Sequence, residues 1–160
     1  MKGARHLSKE EIQSLAQSFY GEYETRNRTL FLLGLNIGTR ISELLALNVG
    51  DVWQYGKPVA ILELKKAITK EKKTRQIPLN EQAKEVITEL IKWKKSHGED
   101  LSPNAPFFAS RKGNDGYKNG YSLVTIDNFK SGFNTPKFRE LVTRNGSLLI
   151  CFGLSTSRLL

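Results

Sequence analysis

Residues 30–37 constrain this chain more than any other stretch. Leu30, Phe31, Leu32, Leu33, Leu35 and Ile37 leave almost no polar face. A helix that is apolar nearly all round has to lie inside a core. The pattern predicts that helix over about residues 28–37, with Gly38 stopping it in a left-handed cap. The next residues change character. Thr39-Arg40-Ile41-Ser42-Glu43 opens a short helix predicted over about residues 41–47. One arginine therefore stands where a helix begins, at the margin of the most apolar element.

A second basic feature follows. Residues 59–64 are β-branched and aliphatic and read as a strand, and residues 74–79 read as the returning strand. Between them, residues 65–73 form a cationic turn carrying Lys65, Lys66, Lys70, Lys72 and Lys73, and Arg75 opens the return. Arginine offers a planar, permanently charged fork. Lysine offers a point charge that can also surrender a proton. One on a rigid element and one on a turn is a pairing suited to a single phosphate group, and we read the stretch as part of a DNA-phosphate site.

The totals agree with a polyanionic partner. The 160 residues are enough for one domain with its own core. Lys and Arg number 25 against 16 Asp and Glu, a net charge of +9. That balance favours nucleic acid first and an acidic membrane surface second, with solubility alone as the bland alternative. The single Cys151 has no partner for an internal disulfide, which fits a reducing compartment and a cytoplasmic location. One Cys and two His do not build a zinc site of the usual kinds, so neither metal nor cofactor is expected. No apolar segment follows the first residues, so no signal peptide is expected. The longest apolar run, residues 148–154, is too short to span a bilayer, so no membrane partner is expected.

The rest of the chain supplies scaffolding. Ser8 and Glu11 have the spacing of a capping box, flanked by Leu7 and Ile12, and Ile12, Leu15, Ala16 and Phe19 line one helix face. Residues 21–28 read as a turn or loop. Asp51 and Val52 lead into a strand region, with residues 55–58 as a turn. Asn80 caps a helix whose stripe is Ala83, Val86, Ile87, Leu90 and Ile91. Lys92, Lys94 and Lys95 read as its solvated, dipole-favoured end, and His97-Gly98 terminates it. Trp53 and Trp93 read as packing residues, and Cys151 as a small buried hydrophobe. After Ser110 the pattern weakens. Residues 111–121 read as loop, residues 122–133 as a short helix, and the last fifteen residues show no clear period.

Gly38-Thr39-Arg40-Ile41-Ser42-Glu43-Leu44-Leu45-Ala46-Leu47, followed by Asp51-Val52, resembles the first-arginine motif of the tyrosine recombinases, the phage integrase family. Leu7-Ser8-Lys9-Glu10-Glu11 resembles the start of that family's catalytic domain. Residues 70–79 resemble its lysine-bearing hairpin, and Pro106-Phe107-Phe108 follows in the expected order. The resemblance covers about residues 5–113. It implies an α+β fold, mainly helical, with a small three-stranded antiparallel sheet, a DNA breaking-rejoining catalytic core that is here incomplete. It implies phosphoryl transfer on double-stranded DNA, in the recombination or integration of mobile elements. In the family a tyrosine attacks a backbone phosphate and holds the 3′ end, two arginines and a histidine brace that phosphate, and the lysine protonates the departing 5′ oxygen. Fixed cations aimed at the developing charge lower such a barrier.

Position by position, the resemblance makes Arg40 and Lys70 the catalytic cations. Glu43 is expected to orient Arg40 or neighbouring backbone. Thr39, Lys65, Lys66, Lys72, Lys73 and Arg75 are expected DNA contacts. The family's His-x-x-Arg segment and tyrosine nucleophile have no match: no histidine follows His97, and neither Arg139 nor Arg144 has one three residues before it. Tyr117 and Tyr121 precede the place where that segment belongs, so neither is assigned as nucleophile. The expected organisation is a partial catalytic domain over residues 1–113 and a divergent tail over 114–160. The fragment is then a DNA-binding unit not catalytically competent alone; the resemblance implies an oligomer on DNA, but the family's C-terminal exchange segment has no match here. The alternatives are a DNA-binding module or regulator without chemistry, and the related type IB topoisomerase chemistry. Two bland readings stand beside these. Arg40 and Glu43 can be an ordinary i,i+3 surface pair, and the lysines of the turn can be a solvated hairpin edge.

Overall fold

A computed structural model describes residues 8–66 and 73–109. The Leu7 flank of the first cap, Lys70, Lys72, the division near residue 113, Tyr117, Tyr121, the helix expected at 122–133 and Cys151 lie outside the described residues.

The first helix, α1 (Lys9–Ala16), starts where its capping box places it. The Ser8 N–H donates to Glu11 Oε2 at 2.9 Å, and the Glu11 N–H donates back to Ser8 Oγ at 3.2 Å. Leu15 and, just past the helix, Phe19 are its buried side chains, and Phe19 tilts against Phe31 at a centroid distance of 5.9 Å.

The apolar helix α2 runs Glu24–Ile37, a turn longer than its apolar run. Residues 24–28 were expected as loop because they are charged and Tyr23, the N-cap, has no side-chain hydrogen bond to the first turn. Side-chain contacts within the first turn, and one to a distant loop, hold this uncapped end. Arg26 is buried, lies 4.3 Å over the Tyr23 ring, donates from Nε to Asn27 Oδ1 at 3.1 Å and from Nη1 to the Ala109 carbonyl at 2.8 Å. Glu24 pairs with Arg28 one turn on. Gly38 closes the helix at φ 62°, its N–H on the Gly34 carbonyl at 3.0 Å. A side chain is disfavoured in that backbone region, and glycine is not.

Two short helices follow, α3 (Ile41–Leu45) and α4 (Val49–Val52). The second was not expected. Four residues are too few to show a helical period, and Asp51 and Val52 read instead as the approach to a strand.

The strands are β1 (Trp53–Gln54), β2 (Lys57–Pro58), β3 (Ile61–Leu64) and β4 (Arg75–Pro78). They make two two-stranded antiparallel ladders, β1 with β2 and β3 with β4, and not the single three-stranded sheet implied by the resemblance. The reason lies in residues 57–64, which serve both ladders in turn. Pro58 has no N–H to donate, and the chain leaves the strand at Val59 and bends at Ala60. Val59 still donates to the Val52 carbonyl on one side, while the Ala60 carbonyl accepts from Leu79 on the other. The bend therefore splits what would have been one central strand. β1 and β2 are joined by Tyr55 and Gly56, both at positive φ, 52° and 77°. That is the backbone a two-residue hairpin turn requires. In β3, Leu62 and Leu64 face the core, and Ile61 and Glu63 face out.

Helix α5 (Glu81–Ser96) begins with the Ala83 N–H on Asn80 Oδ1 at 2.8 Å. Its Ala83, Val86, Ile87, Leu90 and Ile91 stripe is buried. It lies antiparallel to α2. Asn80 meets Asn36 at one end (2.6 Å), the Thr29 hydroxyl reaches the Val86 carbonyl mid-way (3.3 Å), and Tyr23 meets Trp93 at the other end. Lys94 is not a solvated end residue. It is buried, its ammonium paired with Glu99 and 3.3 Å from the Pro106 carbonyl. Both partners come from the loop beyond the helix, which the helical pattern does not reveal.

That loop, residues 99–109, closes over the short helices. The Ser102 N–H and hydroxyl hold the Asp100 carboxyl below its ordinary pKa. The Val49, Gly50 and Phe107 N–H groups donate to the Ala105, Pro103 and Leu47 carbonyls at 2.8, 3.0 and 2.9 Å. Phe107 and Phe108 are buried in the core with Leu30, Leu33, Leu44 and Leu47. Among the described residues no helix is long and apolar enough to cross a membrane.

Candidate nucleic-acid interface

Arg40 occupies the N-cap of α3 in extended conformation (φ −70°, ψ 147°), where the left-handed Gly38 has turned the chain out of α2. A guanidinium has no acceptor for helix N–H groups. Capping here runs from the other side. Glu43, three residues into the turn, accepts the Arg40 backbone N–H on Oε2 at 3.1 Å.

The same carboxylate gathers charge from two elements. Its Oε1 lies 3.6 Å from Arg40 Nη1, and its Oε2 lies 3.0 Å from Arg75 Nη2 of β4. The Glu43 side chain is 1% exposed, while those of Arg40 and Arg75 are 48% and 45% exposed. A buried carboxylate is costly unless paired and hydrogen-bonded, and here it has both. Two guanidiniums against one carboxylate leave a net positive charge, with half of each arginine side chain at the surface. This is more than an ordinary surface pair of neighbours on one helix, because Arg75 arrives from 32 residues away.

The remaining candidates divide. Lys65, Lys66 and Lys73 are exposed at the base of the hairpin turn. Lys65 Nζ is 3.0 Å from Asp51 Oδ1. Thr39 is almost wholly buried, and its Oγ1 has no hydrogen-bond partner among the described residues. Lys70 and Lys72 lie outside the described residues, but the arms of their turn do not: Leu64 pairs with Arg75 at the last rung. The turn therefore departs from the rung that carries Arg75, beside Glu43 and Arg40. Among the described residues no cluster of His, Cys, Asp and Glu could hold a metal ion.

Asp51 was missed as a member of this region. Its Oδ2 accepts the Asn48 N–H at 2.9 Å while Oδ1 takes Lys65. The signal was present, since Asn48-x-x-Asp51 has N-cap to third-position spacing. The link from Arg75 to Glu43 had no local signal at all.

Comparison with known proteins bears on the fold and the family. A solved structure described as the crystal structure of XerA recombinase superposes with a TM-score of 0.53 at 19% identity. The match covers 81% of this chain and 43% of that one, and at this identity it speaks for the fold. No curated protein matches the chain. The phage integrase family matches residues 5–125, about three quarters of the sequence and the whole of the region just described. The chain belongs to the phage integrase family.

Proposed function

We propose that these 160 residues form a DNA-binding unit of a tyrosine recombinase, in which Arg40 and the hairpin around Lys70 engage a backbone phosphate. The observation that carries this reading is the meeting of Arg40 and Arg75 on the buried Glu43, which brings the base of the lysine hairpin to the start of α3. A phosphate arriving at that surface meets half-exposed guanidiniums whose neighbouring carboxylate already holds them in place. Preorganised cations of this kind are what phosphoryl transfer uses. Arg40 and Lys70 take the catalytic positions, Glu43 orients Arg40, and Lys66, Lys72, Lys73 and Arg75 supply further charge along the duplex.

The unit is not catalytically competent alone, because its sequence holds no His-x-x-Arg segment after the hairpin. The same observation favours, as a second reading, a module that occupies DNA without cutting it. Fluorescence anisotropy with a labelled duplex at low and high salt tests the binding. Affinity is expected to fall steeply with salt, and equal affinity at both concentrations would sink the proposal. A nicked suicide duplex tests the chemistry. No covalent adduct is expected, and recovery of one would reject both the incompetence and the second reading.

A further inference from the structure

Glu43 has a counterpart. Asp51 stands at the third position of α4, as Glu43 does in α3, and each carboxylate accepts the backbone N–H of its helix's N-cap residue. Each then reaches a cation on β3–β4. Glu43 takes Arg75, the first residue of β4, and Asp51 takes Lys65, the residue after β3. Leu64 and Arg75 are the last paired rung. The two ion pairs therefore hold opposite arms of one hairpin at the same level, where the ladder ends and the turn begins.

Apolar anchoring stops at that level too. Leu64 is the last buried side chain on β3, and β4 is exposed or half-buried along its length. A short two-stranded ladder has little rigidity of its own. Leu62 and Leu64 hold the stem to the core from below, and the two ion pairs hold its separate arms where that anchoring ends.

We propose that Asp51 is a positioning residue. With Lys65 it ties the β3 arm to α4, as Glu43 with Arg75 ties the β4 arm to α3, and together they set the hairpin stem against the helix that starts at Arg40. Lys65 is then a strut and not primarily a phosphate contact. Asp51 is 11% exposed and Lys65 is 62% exposed, so the strut spans the boundary from core to solvent. Its consequence for DNA rests on the function proposed above, but its existence does not.

Amide exchange read by mass spectrometry on residues 61–66 and 73–78 separates the two. Asp51→Asn keeps an oxygen for the Asn48 N–H and loses the charge that holds Lys65. Asp51→Asn and Lys65→Gln are each expected to speed exchange in those residues at least about threefold. Lys65→Arg, which preserves the pair, is expected to leave it unchanged. If Asp51 merely caps α4, Asp51→Asn exchanges like the parent protein, and the proposal is overturned. Should Asp51→Asn fail to fold, Lys65→Gln against Lys65→Arg still decides. Duplex binding adds a test of sign. A displaced hairpin binds more weakly, so Asp51→Asn loses affinity. A phosphate contact masked by Asp51 would be released, so a gain in affinity also overturns the proposal. If the parent protein binds no duplex, the DNA reading fails while the exchange result still decides the tether.

Discussion

Glu43 is the residue on which most of the candidate site converges. Its carboxylate satisfies a helix N–H and two guanidiniums from a buried position. Replacing it by alanine removes a cap contribution of about 1 kcal/mol. It also removes charge-assisted bonds that, with half-exposed cations able to rehydrate, fall at the low end of buried pairs. Urea unfolding of Glu43→Ala is expected to show a loss of about 1–3 kcal/mol. Glu43→Gln, which keeps the oxygen for the Arg40 N–H, is expected to lose about half as much. An equal loss for both would mean that charge is the whole effect. Residues of this kind were half legible. Arg40 and Glu43 announce themselves by position and spacing. Arg26 and Lys94 do not, because a cation in a charged turn or at a helix end reads as solvated until its distant partners, the Ala109 carbonyl and Glu99, are known.

At the scale of elements, the turns and the docking loop make the sharpest expectations. Tyr55 is 96% exposed and sits at φ 52°, a backbone region that favours Asn and Gly. Tyr55→Asn loses no packing, so it is expected to stabilise the protein by about 0.5–1 kcal/mol, seen as a higher urea midpoint. Gly50 is the opposite case. A Cβ there would lie 2.9 Å from both the Cβ and the carbonyl oxygen of Pro103, in the loop that covers α4. Gly50→Ala is expected to cost about 1–3 kcal/mol by the same measurement, since one of those atoms is backbone and cannot swing aside. No change would mean the loop is not docked as described. Elements with local chemistry were readable in advance: the Ser8–Glu11 box, the Gly38 stop, the Asn80 cap and the α5 stripe. The early start of α2, the four-residue α4 and the split strand were not. Each is decided by contacts or a bend that leave no periodic trace.

In the whole molecule, separate elements converge on the start of α3. The buried α2–α5 pair fixes the frame, Gly38 turns the chain out of α2 into α3, and the β3–β4 hairpin is fastened beside it by Arg75 on Glu43. The direct measurement is the salt dependence of duplex binding for the parent protein, Arg40→Ala, Lys70→Ala and the double variant. The slope of log affinity against log salt counts neutralised phosphates, at about 0.9 for each one. If both cations serve one phosphate, either variant alone weakens binding but changes the slope by well under that unit, and the double variant lowers it by about 0.9 in all. Separate losses of about 0.9 each, summing to about 1.8, or four identical slopes, would contradict the account.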